Sequence, residues 1–161
     1  MEDIVVELSE AEMLQAAIVA VQRNVENIFA GRHHKFGAGS DNGWTMHIEG
    51  AAGEMAFAKW ADRYWSGSLG NLKADDVGSV QVRTTSGHNN RLILHAEDPD
   101  DRRFVLLTGL APRFIIRGWI WGRDAKQEKY WKDPAGGRPA FFVPQDDLRS
   151  MRRAQREEVA A

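Results

Sequence analysis

Asp76-Val77-Gly78-Ser79-Val80-Gln81-Val82-Arg83-Thr84-Thr85 is the stretch on which the reading of this chain turns. Val80, Val82 and Thr84 alternate with Gln81, Arg83 and Thr85, and the β-branched content fits a half-buried strand. Successive strand side chains point to opposite faces, so the Gln81 amide and the Arg83 guanidinium share one side, with the Asp76 carboxylate at the strand's mouth. Such a row is either a solvated face or a site. A second acid, Glu54, arrives on a helix just upstream and favours the site.

That upstream helix is expected from His47 to about Trp65. Ile48, Ala52, Met55, Ala56, Lys59 and Trp60 share one of its faces. Gly50, Ala51, Ala52, Gly53 and Ala56 keep it slender enough to approach a sheet closely. Glu54 lies among these small residues, where a long acid points into a cleft or out to water. Downstream, Ser86-Gly87-His88-Asn89-Asn90 reads as a hairpin turn, with Arg91-Leu92-Ile93-Leu94-His95 as the returning partner strand. Residues 104–108 form a short continuous apolar run, the mark of a strand covered on both faces. Residues 114–121 form another strand, and 140–143 a last edge strand. Residues 97–101 are acidic without calcium-loop spacing and read as a solvated turn.

Toward the ends, Ser9 and Glu12 make a capping box. They open a helix over residues 9–30, whose Leu14, Ile18, Val21, Val25 and Ile28 are expected to face the core. A C-terminal helix is expected over about 145–158, with acids in its first turn and Arg149, Arg152 and Arg153 beyond. Arg32, His33, His34 and Lys35 lie in the Gly-rich loop between the first two helices. Adjacent histidines diverge on an extended chain and are poor co-ligands, so the four suit phosphate contact, against the plainer reading of a solvated loop.

The chain has 161 residues, 43% apolar and 27% charged, which fits one globular domain over 1–161. A net charge of −2 gives no global attraction for nucleic acid, although a local basic patch would suffice. Without cysteine there is no disulfide framework, thiolate metal site or cysteine nucleophile, in keeping with a reducing, cytoplasmic setting. The acidic start Met1-Glu2-Asp3-Ile4 does not read as a signal peptide, and no apolar run is long enough for a membrane span. The order of helices, strands and a closing helix implies an α/β (α+β) fold, a central mixed β-sheet flanked by helices.

Gly53-Glu54 on a helix, Asp76 at a strand mouth and Gln81-x-Arg83 on the strand together resemble the PD-(D/E)xK restriction-endonuclease-like nuclease superfamily. The run through Gly118-Trp119-Ile120 to Phe142-Val143-Pro144-Gln145 is similar to its small phage-encoded members. The resemblance implies a restriction-endonuclease-like core and a divalent-metal-dependent nuclease hydrolysing DNA in phage DNA metabolism. Glu54, Asp76 and Gln81 would ligate Mg²⁺, with Mn²⁺ as a substitute, and Arg83 would be the catalytic cation. Two departures from the family pattern stand out. Gln81 replaces the usual acid and brings no charge. Arg83 replaces the usual lysine; it can clamp a phosphate but stays protonated and cannot act as a base. These departures carry the alternative, a nuclease-fold protein that binds nucleic acid or a protein partner without cutting. DNA contacts would fall to Arg32, His33, His34, Lys35, Arg149, Arg152 and Arg153. Nucleases of this class often pair to cut two strands, and nothing in the sequence marks a surface for such a homodimer.

Overall fold

The computed structural model describes residues 3–32, 43–69 and 74–151. Four strands make the main sheet: β1 (Ile4–Glu7), β2 (Val80–Thr85), β4 (Arg103–Leu110) and β5 (Arg113–Trp121), in the order β1-β5-β4-β2. β2 runs parallel to β4, while β4–β5 and β5–β1 are antiparallel, so the sheet is mixed. A smaller sheet orders β3 (Leu92–Leu94), β7 (Ala140–Val143) and β6 (Trp131–Lys132). Helix α2 (Gly43–Ala61) packs on the main sheet, and α1 (Glu10–Phe29) packs against α2. This is an α/β fold with a mixed central sheet flanked by helices.

The alternation along the strands separates two apolar clusters. Val80 and Val82 of β2, Val105 and Leu107 of β4, and Phe114 and Ile116 of β5 join the helices in one core. Phe104, Leu106 and Ile120 point the other way and pack with Leu92, Leu94, Tyr130 and Val143. α2 is buried without a break from Ala51 to Ala58 because it is covered by the sheet on one side and α1 on the other; a helix apolar all round belongs inside.

Gly53 is where α2 comes closest to β2. A Cβ there would lie 2.0 Å from Thr84 Oγ1 and 3.0 Å from Thr84 Cβ. Thr84 is β-branched and stiff, so the helix must retreat. Gly53→Ala should therefore cost about 1–3 kcal/mol by overpacking, despite the roughly 1 kcal/mol that Ala gains over Gly in a helix. Urea unfolding measures this, and adding Thr84→Ala should recover most of the loss.

Four expectations are corrected. The Leu14, Ile18, Val21, Val25 and Ile28 face of α1 does not meet the core: these residues are 39–64% exposed, while Ala16, Ala20 and Asn24 are buried. The inward face is the small one because α2 is itself built of Ala and Gly, and two slender helices approach most closely through small residues. The 92–94 strand does not return beside β2 either. It pairs with β7, and β2 finds its neighbour in β4. The C-terminal helix is replaced, within the described residues, by a single 3₁₀ turn at Gln145–Asp147 followed by extended chain. There Arg149 exchanges two backbone hydrogen bonds with Trp119, at 3.0 and 2.8 Å. Gly118 makes room for that crossing: its φ is +150°, and a Cβ would stand 2.7 Å from the Arg149 carbonyl oxygen. Finally, β1 occupies the N-terminal edge of the sheet, where the sequence suggested only a lead into α1; Val6 and Leu8 enter the core there.

Candidate functional site

Glu54 is 7% exposed and faces α1. Its two oxygens accept a fork of hydrogen bonds from Arg23, Nη1 to Oε1 at 2.9 Å and Nη2 to Oε2 at 2.8 Å. The Trp65 indole N–H donates to Oε2 at 3.1 Å. Arg23 in turn donates from Nε to the Gly67 carbonyl at 2.7 Å, and its guanidinium lies 6.0 Å from the Trp65 ring centroid. Burial works against the Arg23 charge, but the hydrogen bonds and charge of Glu54 outweigh it and raise the Arg23 pKa. This is a planar, bidentate, nearly dry ion pair of the kind arginine suits.

Asp76 reaches the same region from the strand mouth. Its Oδ2 accepts the Val82 amide at 2.7 Å. Burial, and after it the negative charge of Glu54, pushes the Asp76 carboxyl up to about 7, against the lowering effects of the Val82 N–H, Arg83 and Arg23. Two acids from distant segments thus lie within electrostatic reach of each other, Glu54 buried and Asp76 half-buried, with Arg23 as the nearer compensation for Glu54.

Gln81 and Arg83 stand on the opposite face of β2 from the helices. Gln81 Nε2 donates to Asp75 Oδ1 at 2.8 Å, and Arg102 Nε donates to both Asp75 oxygens at 3.0 and 2.9 Å. Arg83 pairs with Asp98 at 3.0 Å and lies 5.2 Å from the Phe104 ring centroid. The 97–101 loop is accordingly more than a solvated turn. Asp98 caps the His95 amide at 2.8 Å, and Lys126 pairs with Asp100 at 2.7 Å while donating to the Ala96 and Asp98 carbonyls.

The four candidate residues therefore form two groups, Glu54 with Asp76 on the helix side and Gln81 with Arg83 across the strand. The link between them is electrostatic, through the effect of the Arg83 charge on Asp76. Among the described residues, no group of three or more His, Cys, Asp or Glu is arranged to hold a metal ion. Of the basic residues expected at DNA, Arg32 is exposed at the end of α1. Arg149 pairs with Asp124 at 2.9 Å and stacks 5.0 Å from the Trp119 ring centroid. His33, His34, Lys35, Arg152 and Arg153 lie outside the described residues.

Compared with protein-family models, curated proteins and solved structures, the chain matches none. Three participants escaped the sequence reading: Arg23, Asp75 and Asp98. Only Arg23 had a signal. It falls among Ala16, Ala20 and Asn24 on the small face of α1, and a long cation among small residues is placed to reach a buried partner. No helix among the described residues is long and apolar enough to cross a membrane.

Proposed function

We propose that this chain is a divalent-metal-dependent nuclease of the PD-(D/E)xK type with a restriction-endonuclease-like core, acting on DNA. The observation that carries the reading is the proximity of Glu54, which is buried, and Asp76, which is partly exposed, close enough for the charge of one to raise the pKa of the other. Carboxylate oxygens are the ligands a hard ion such as Mg²⁺ prefers; Glu54 and Asp76 would hold it once the Arg23 fork gives up the Glu54 oxygens it occupies. When bound there, the ion would polarise a phosphoryl oxygen and supply an activated water.

The chain's own residues have distinct parts. Asp76, ionised above about pH 7, presents negative charge at the strand mouth with its orientation fixed by the Val82 amide. Arg23 holds Glu54 in place through both oxygens. Arg83, on leaving Asp98, would offer its fork to a phosphate and stabilise charge developing on it. Gln81, turned to Asp75, holds the strand beside the acidic loop rather than completing a three-ligand set.

The bidentate grip of Arg23 on Glu54 favours a second reading, in which the guanidinium stands where a metal would and the fold binds nucleic acid without cutting. Incubation of the protein with plasmid and oligonucleotide DNA, with Mg²⁺ or Mn²⁺, separates the two. Nicking or degradation that disappears in Asp76→Ala is the expected result. Metal-independent binding with intact DNA at high protein concentration transfers the case to the second reading.

A further inference from the structure

Among the described residues the outward face of α1 is an unpartnered apolar seam, and we infer that it is covered by the same seam of a second copy of this chain, the two helices antiparallel. This inference is independent of the chemistry proposed at Glu54 and Asp76. Leu14, Ile18, Val21, Val25 and Ile28 are 64, 57, 42, 39 and 58% exposed, and Phe29 at the end of the same helix is 89% exposed. Their steps of four, three, four and three give a period of 3.5. That is the narrow stripe of a helix–helix seam rather than the wider apolar arc a helix lays on a globular core. The opposite face already has its own partner in α2, so the protein has no internal use for this one among its described elements.

Area, charge and the rest of the sequence all favour a second copy. The exposed fractions correspond to about 600 Å² of residue surface per chain, so two seams meeting would bury at most about 1,200 Å², which reaches the range of roughly 1,000–1,200 Å² where specific interfaces begin. A single exposed apolar patch of this size is at the upper end of what monomers carry. Gln15, Ala17 and Gln22 flank the stripe, so two copies meet across uncharged edges without like-charge repulsion. In the antiparallel sense, the acidic first turn of one helix, with Glu10, approaches the end of the other, where Arg32 follows Gly31; the helix dipoles align favourably as well. Outside the described residues the sequence holds few large apolar side chains, Met1, Phe36, Leu72 and Val159. Packing of three- and four-residue ridges at a shallow angle then places Ile18 against Val21, and Leu14 against Val25, of the second copy.

Light scattering and sedimentation of the full chain should give twice the chain mass at micromolar concentration. Ile18→Glu/Val25→Glu should give the single mass, with a dissociation constant raised at least about a hundredfold and an unchanged far-ultraviolet spectrum. Because the chain has no cysteine, orientation is read by introducing one. Under mild oxidation Leu14→Cys alone and Val25→Cys alone should stay unlinked, while an equimolar mixture of the two should form a covalent dimer. A single mass for the unmutated chain at every concentration overturns the inference. The thermal midpoint of Ile18→Glu/Val25→Glu then tells what covers the seam: a fall points to the chain's own segments, no change to a different protein. Cross-linking of Leu14→Cys with itself overturns the antiparallel arrangement.

Discussion

Arg23→Met is expected to lower the stability of the protein by about 3–5 kcal/mol at pH 8, because it leaves a buried carboxylate without its counter-charge. The Arg23 and Glu54 side chains are only 12 and 10% exposed, so water cannot replace the lost fork. The Trp65 indole would remain as a donor to Glu54 Oε2, but one neutral N–H does not offset a full charge. Asp76 makes matters worse, since its pKa is already raised by the Glu54 charge; with Arg23 gone, two like charges face each other in the same pocket. The loss should therefore shrink toward pH 5, where a proton can settle on the pair. For a domain of this size the thermal midpoint should fall by roughly 10 °C or more. Adding Glu54→Gln to Arg23→Met should recover over half of the loss, since the buried charge is then removed with its partner.

The same variant separates the two functional readings. Removing the guanidinium frees Glu54 Oε1 toward a cation and leaves Oε2 with the Trp65 N–H alone. If Glu54 and Asp76 seat a divalent ion, Mg²⁺ or Mn²⁺ should raise the midpoint of Arg23→Met more than that of the unmutated protein, following the logarithm of ligand concentration over its dissociation constant. A midpoint indifferent to either ion in the variant would mean that the two acids do not form a cation seat, and the non-cutting reading would stand.

The strands around the site were legible because period two is a strong signal where one face is apolar: Val80, Val82 and Thr84 point to the helices as the alternation requires. The slender α2 was legible for a similar reason, its Gly and Ala residues marking a close approach that Gly53 and Thr84 realise. Strand partners were not. A strand's own sequence fixes which face is buried but not which neighbour it joins, so the nearest strand is the expected partner of Leu92–Leu94, which instead joins β7. The apolar face of α1 lies away from the expected core because apolar periodicity marks a surface that wants covering without saying by what. At the site, Glu54 and Asp76 were found from residue type and spacing. Arg23, Asp75 and Asp98 were not, because ion pairs between distant segments leave no local pattern. Gln81 and Arg83 share a strand face, as the alternation demands, but it is the face away from Glu54.

Asp76→Asn should make the protein more stable at pH 8 and leave it almost unchanged at pH 4.5. The folded Asp76 carboxyl has its pKa near 7, whereas an unfolded aspartate titrates near about 3.9. The folded state therefore holds the proton more tightly. The stabilisation linked to that proton is complete below about pH 4 and is lost as the pH rises through about 7. Three units of separation set a ceiling of about 4 kcal/mol, and relaxation around a carboxyl that is not fully enclosed reduces the expected difference to about 2 kcal/mol. Asparagine keeps an oxygen to accept the Val82 amide but never acquires the charge that Glu54 opposes. Glu12 and Asp133, whose pKa values are lowered, push the slope of stability against pH the other way, yet they are common to both proteins and cancel in the difference. Urea unfolding from pH 4.5 to 8.5 in the presence of a chelator reads it directly, and parallel profiles for the two proteins would show that Asp76 is not held in the pocket described. The same proton connects stability to chemistry. On the proposed nuclease reading, a cation shared by Asp76 and Glu54 would compete with it, so divalent binding should strengthen, and DNA cleavage rise, as the pH passes through about 7, the range in which the metal-free site becomes least comfortable for its own charge.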